Sequence, residues 1–95
     1  MGIILGSELD RLEATVERLK KFMPIQDELE RAEIKHPDFP DDMFHQLAIM
    51  QEEAGEVTKA VLHYRYECGS FEHIREELIQ TGAMCMRMLQ NMRPL

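Results

Sequence analysis

The sequence predicts an all-α protein, a helical bundle that oligomerisation completes. The composition favours helices, because helix-forming residues dominate and the 95 residues include only 5 Gly and 4 Pro. Apolar residues recur every three or four positions in four successive stretches, which is the helical period. No alternation typical of β-strands competes with this pattern. The length suits one small domain.

The first predicted helix lies within the opening 23 residues. Ser7 has the character of an N-cap, with acidic residues in the turn that follows. Pro24 is expected to stop this helix. Before it, apolar residues alternate at steps of three and four over about three heptads, a coiled-coil-like seam: Leu5, Leu9, Leu12, Val16, Leu19 and Met23. A helix that packs on its own domain and an oligomerisation helix both explain the seam.

A second, shorter helix is predicted from Ile25 to about Lys35. Two prolines at positions 37 and 40 then forbid a continuous helix. Asp41 or Asp42 can cap the helix that follows.

Two long helices complete the prediction. The third runs from Met43 to about residue 67, and Gly69 is the expected C′ residue beyond it. Ser70 can start the fourth, from Phe71 to about residue 92. Its expected apolar face comprises Ile74, Leu78, Cys85, Met88, Leu89 and Met92. This helix is apolar on almost every side, so its second side is expected to meet another subunit.

Composition excludes several classes of function. The net charge of −7 leaves no broad basic face for nucleic acid. Two cysteines make no disulfide framework and are expected to stay reduced. No signal-peptide core opens the chain, and no apolar run reaches the roughly 20 residues that span a bilayer. The sequence therefore predicts a soluble, cytoplasmic protein.

Glutamates on the two long helices are the main functional signal. Residues three apart share a helix face, which places Glu53 beside Glu56 and Glu77 beside Gln80. If these helices pack together, at least three carboxylates converge, and Mg²⁺ would offset their repulsion. Gly55, between the first pair, is expected to allow another element to approach closely.

The strings EEAGEV and EEL, in which 20 residues separate Glu56 from Glu77, resemble the MazG-like family of all-α nucleoside triphosphate pyrophosphatases. The resemblance extends from about Leu29 to Met92 and includes the histidine–proline turn at residues 36–37. It divides the chain into an added amphipathic helix over residues 1–23 and a MazG-like domain over residues 24–95.

The resemblance implies that Glu53, Glu56 and Glu77 are catalytic. With Gln80 they would bind Mg²⁺, or Mn²⁺ in its place. Gln80 stands where the family pattern has Asp, which leaves three formal negative charges instead of four. Candidate substrate-binding side chains are basic or aromatic: Lys59, Arg75, Arg87, His36, Phe39 and Phe44. An ion pair between Lys59 and Glu56 explains Lys59 equally well.

The implied activity is hydrolysis of a (deoxy)nucleoside triphosphate to its monophosphate and pyrophosphate, as in house-cleaning enzymes. The site is expected where the third and fourth helices face each other, in a homodimer or a dimer of dimers. The alternative is a non-catalytic MazG-like module that binds nucleotide or serves in assembly. Gln80 and the N-terminal seam favour that alternative.

Overall fold

The computed structural model describes residues 5–94 and contains four helices. Helix α1 spans Gly6–Lys20, α2 spans Met23–Lys35, α3 spans Met43–Tyr66 and α4 spans Phe71–Asn91. Within the described residues there is no strand, which confirms the all-α prediction. The predicted domain ranges also include residues 1–4 and 95, which lie outside the described residues.

The junction between α1 and α2 differs from the prediction. Helix α1 begins at Gly6, with Leu5 at the N-cap and no side-chain capping bond, so Ser7 lies inside the helix and is not its cap. Pro24 lies in the first turn of α2. A proline there costs no hydrogen bond, because the first N–H groups of a helix have no intrahelical partner. Pro24 therefore opens α2 after a two-residue turn.

Side-chain caps start the two long helices as predicted. The Asp42 carboxylate accepts a hydrogen bond from the Phe44 N–H at 3.0 Å, and the Ser70 hydroxyl accepts one from the His73 N–H at 3.3 Å. At the turn between these helices, Cys68 has the left-handed backbone, with φ of 60°, rather than the predicted Gly69. Gly69 is required for space instead, because a Cβ there would lie 2.9 Å from the His63 carbonyl carbon.

Helix α4 is the central element, because both α3 and α2 pack against it. Gly82 permits a close approach of α2, since a Cβ at Gly82 would lie 3.1 Å from Ile25 Cδ1. Among the described residues, four apolar residues are buried, and three of them are alanines: Leu29, Ala32, Ala60 and Ala83. The Cα radius of gyration is 17.7 Å, compared with about 12 Å for a compact domain of this length. One chain therefore leaves much of its apolar surface uncovered.

The predicted apolar face of α4 is not its buried face. Leu78, Leu89 and Met92 are more than half exposed, and Cys85, expected in the core, is exposed. The buried residues of α4 are Glu77, Ala83 and Arg87. Apolar residues surround most of this helix, so its periodicity does not determine which side the other helices cover.

Gln46 fixes the segment that precedes α3. Its side chain is fully buried, and Nε2 donates hydrogen bonds to the carbonyl oxygens of Pro40, at 2.7 Å, and Asn91, at 3.4 Å. The segment before α3 is thereby joined to the carboxyl end of α4. Within residues 5–94, none of the helices combines the length and apolarity needed to cross a membrane.

Candidate functional site

A cavity of about 410 Å³ opens between α2, the segment over residues 36–40, α3 and α4. Its volume lies within the range of small-molecule sites. Acidic and basic side chains are equally represented in the lining, which also includes apolar and aromatic groups. The charged members are Glu28, Asp38, Glu53, Arg31, Lys35 and Arg87.

Five of the candidate residues line this cavity: His36, Phe39, Glu53, Gln80 and Arg87. Glu53 contributes from α3, Gln80 from α4, and His36 from the segment after α2. The site therefore lies among three helices, and not only between α3 and α4 as the sequence predicted. Helix α2 forms one wall of the cavity, which the sequence analysis did not predict.

The Glu53 carboxylate lies in an unfavourable electrostatic environment. Partial burial is the main reason that its pKa is raised above the ordinary range. Carboxylates of all three helices add to the effect: Glu77 on α4, Glu52 and Glu56 on α3, and Glu28 on α2. The ionised form of Glu53 thus lacks compensating positive charge.

Glu77 is buried, with only 9% of the residue exposed, and does not line the cavity. Its Oε2 is buried and has no hydrogen-bond partner within the described part of the chain. The other oxygen, Oε1, lies 3.7 Å from His73 Nε2, an ion pair only when the imidazole is protonated. A buried carboxylate oxygen without a partner is costly, so a cation or a donor at this point would be stabilising.

These two observations fit the predicted ligand set. The orphaned oxygen of Glu77 and the raised pKa of Glu53 both indicate a place where a cation would relieve unfavourable charge. Over residues 5–94, however, no group of three or more His, Cys, Asp or Glu side chains has an arrangement that would hold a metal ion. The carboxylates are near enough to interact but are not gathered at coordination distance.

The remaining predicted residues lie on the surface. Lys59 Nζ lies 3.3 Å from Glu56 Oε1, so the ion pair that the spacing allowed is present. Arg75 lies 3.5 Å from Glu72 and does not line the cavity. Gly55 faces open space, with nothing within 4 Å of an added Cβ. The expectation that Gly55 admits another element of this chain is therefore wrong.

Helix α2 contributes residues that the sequence analysis missed. Glu28 and Arg31 form a two-point ion pair, with oxygen–nitrogen distances of 2.6 and 2.8 Å. The Arg31 hydrogen bonds lower the pKa of Glu28. With Lys35, these residues recur at steps of three and four beside the buried Leu29 and Ala32. The sequence signal that could have identified these residues is their position, because charged side chains border the apolar stripe of this short helix.

Arg87 joins α4 to the end of α2. It is buried, and its guanidinium donates hydrogen bonds to the carbonyl oxygens of Ala32, at 3.4 Å, and His36. The same group lies 4.7 Å from the centre of the Phe39 ring, a cation–π distance. Positive charge at the carboxyl end of a helix is favourable. Arg87 thus positions both His36 and Phe39 at the cavity.

Replacing Glu53 by Gln is expected to stabilise the protein at neutral pH. A raised pKa means that the folded state retains a proton where the unfolded state has lost it, so the free energy of unfolding falls as the pH rises through that range. The variant cannot ionise at this position, so it does not undergo this decrease in the free energy of unfolding. We expect its Tm at pH 7 to be higher by up to about 5 °C.

Thermal unfolding at a series of pH values measures this effect. The gain should shrink as the pH falls through the raised pKa of Glu53, because the carboxyl then becomes protonated in the natural protein. Glu67→Gln is the matched control, since Glu67 lies on the surface beyond the end of α3. A Glu53→Gln variant that is less stable at pH 7 would contradict the electrostatic description.

No protein-family model matches the chain, and no match was found among curated proteins or solved structures.

Proposed function

We propose that this protein is a Mg²⁺-dependent nucleotide pyrophosphohydrolase, which cleaves a (d)NTP to (d)NMP and pyrophosphate. The observation that carries the proposal is the cavity, which Glu53 and Gln80 line together with the basic side chains of Arg31, Lys35 and Arg87. Carboxylates bind the metal that accompanies a triphosphate, whereas guanidinium and ammonium groups bind phosphate oxygens. The resemblance of EEAGEV and EEL to MazG-like pyrophosphatases supports the same reaction.

The residues proposed to hold Mg²⁺, or Mn²⁺, are Glu53, Glu56, Glu77 and Gln80. A bound Mg²⁺ supplies charge neutralisation at the phosphate oxygens and an acidified water. Gln80 offers a neutral amide oxygen, so it contributes a dipole rather than a charge. Arg31 and Lys35 are the cationic side chains of α2 that reach this cavity, and they are better placed for the phosphates than Lys59 or Arg75.

The nucleoside is proposed to lie at the His36 end of the cavity. Phe39 is half-buried there, and the Arg87 guanidinium stacks on it. An aromatic ring beside a planar cation is a surface on which a base stacks. Binding in this orientation leaves the triphosphate between α2 and Glu53.

The proposal includes a homo-oligomer, either a dimer or a tetramer. Large apolar side chains of α3 and α4 remain 40% to 67% exposed in one chain. Exposed apolar surface of this kind marks interfaces. A second copy would cover Phe44, Leu47, Leu62, Leu78 and Leu89.

A pyrophosphate-release assay tests the reaction. The purified protein is incubated with a panel of normal and modified (d)NTPs and Mg²⁺ or Mn²⁺, and pyrophosphate and monophosphate are quantified. Equal amounts of the two products support the proposal. Release of orthophosphate, or no product from any nucleotide, would refute it.

The alternative is a non-catalytic nucleotide-binding or assembly module. It is favoured by the neutral Gln80 in the cavity and by the pairing of Glu56 with Lys59 on the surface. Nucleotide binding without turnover would raise the Tm in the presence of Mg²⁺ and nucleotide while the release assay stays negative.

Replacing Gln80 by Asp separates the two functions. A fourth carboxylate near Glu53 should increase the affinity for Mg²⁺ by about tenfold, since ligand charge sets the affinity of such sites. It should also lower the Tm without metal, because it adds to the repulsion already present. Titration of activity and of Tm with Mg²⁺ measures both effects.

Turnover that appears only in Gln80→Asp would identify the natural protein as a degenerate member of the family. An active natural protein that gains only metal affinity supports the enzyme. Gln80→Glu is the control, because it introduces the same charge as Gln80→Asp on a longer side chain.

A further inference from the structure

Helix α1 buries none of its residues against the rest of the described chain. Its apolar seam is between 47% and 60% exposed along its whole length. The seam consists of Leu9, Leu12, Val16 and Leu19 of α1, flanked by Leu5 at its N-cap and Met23 at the start of α2. Of the two explanations that the sequence left open, packing on its own domain is therefore not realised in one chain.

A helix of this length requires a packing partner. Helix α1 has 15 residues and no side-chain cap at its start. Isolated helices of about this length are marginal in water, because nucleation is costly and each residue adds little. The i,i+3 ion pair between Glu17 and Lys20, at 3.0 Å, is exposed and contributes little. Packing of the seam is the remaining source of stability.

The charge distribution of α1 indicates which partner it takes. Residues 8–13 carry three acidic side chains and one basic side chain, a net charge of −2. Residues 17–21 carry one acidic and three basic side chains, a net charge of +2. Two copies side by side in the same direction would place like charges together. Two copies in opposite directions place each acidic half beside a basic half.

We propose that α1 pairs with α1 of a second copy of this chain as a short antiparallel coiled coil. When the pair is centred between Leu12 and Val16, Leu12 of each copy lies opposite Val16 of the other. It also sets Leu9 opposite Leu19, so the seam forms successive apolar layers. The complementary halves fix the direction, and the antiparallel helix dipoles agree with it.

This pairing uses a surface separate from the exposed apolar side chains of α3 and α4, and it does not depend on the nucleotide chemistry. If both surfaces associate, dimers join through α1 into tetramers. If only α1 associates, the protein is a dimer. In either case, loss of the α1 seam should halve the mass of the assembly.

Light scattering coupled to size-exclusion chromatography tests the partner. The double variant Leu12→Glu/Val16→Glu introduces charge into the seam and is expected to halve the mass. Ala14→Glu introduces one carboxylate on the opposite side of α1 and should leave the mass unchanged. An unchanged mass for the double variant, or an equal loss for Ala14→Glu, would overturn the proposal.

Disulfide trapping tests the direction in an otherwise native chain. In a Cys68→Ser/Cys85→Ser background, Leu9→Cys and Leu19→Cys chains with different tags are mixed and mildly oxidised. Antiparallel pairing predicts mainly mixed disulfides between the two tagged chains. Disulfides that form mainly between identical chains would show parallel pairing, and the absence of any disulfide would also overturn the proposal.

Discussion

Glu53→Gln is expected to lower the rate of pyrophosphate release by about 10²–10³, the usual effect of removing one well-placed electrostatic group from an active site. Carboxylates of its own helix α3 and of its neighbours α2 and α4 act on Glu53, so its loss should remove the strongest attraction for Mg²⁺. The substitution keeps the shape of the side chain. The loss should therefore appear in kcat at saturating nucleotide, measured over a range of Mg²⁺ concentrations.

A second measurement distinguishes this loss from unfolding. The same variant is expected to be more stable than the natural protein at pH 7, so a slow enzyme with a raised Tm is the combined signature. Glu67→Gln should keep full activity. The double variant Glu53→Ala/Glu56→Ala should be inactive, and turnover in that variant would exclude this site.

Arg87→Ala is expected to destabilise the fold by about 3 kcal/mol. Charged hydrogen bonds each contribute about 1.5–3 kcal/mol, and Arg87 donates two of them to the end of α2 besides stacking on Phe39. Because one chain buries so few apolar side chains, this is a large part of its stability. Denaturant unfolding at fixed protein concentration measures the change.

Arg75→Ala is the matched control for Arg87→Ala. It removes the same side chain from the same helix, but Arg75 is exposed and pairs only with Glu72 at 3.5 Å. Such surface pairs contribute less than about 1 kcal/mol. Equal losses in the two variants would show that Arg87 has no special role in docking α2. Arg87→Lys should be intermediate, because an ammonium keeps the charge but not the planar fork.

Local signals allowed the helices to be predicted. Asp42 and Ser70 begin their helices because their oxygens accept a backbone N–H, an interaction within three residues. The sequence placed Glu53 and Gln80 near one site for a similar reason, since each borders an apolar stripe. Both residues line the cavity, but the role of Glu53, Glu56, Glu77 and Gln80 as metal ligands stays a prediction.

Long-range packing was not predictable from periodicity. The role of Arg87 in docking α2 could not be predicted, because nothing local shows that it donates to the carbonyl oxygens of Ala32 and His36, which lie 55 and 51 residues away in sequence. The same reason hid Glu28 and Arg31, whose importance depends on where α2 docks. Helix α4 is apolar on nearly every side, so packing against α2 and α3, and not its own sequence, determines which side is buried.

The small apolar interior, made of Leu29, Ala32, Ala60 and Ala83, has a thermodynamic consequence. If neighbouring copies supply the rest of the core, folding and association become one equilibrium, and the midpoint of unfolding depends on how much protein is present. Dilution alone would then increase the unfolded fraction. The amount of folded protein in a cell would rise more steeply than its rate of synthesis, so the abundance of the chain would set the fraction that is folded.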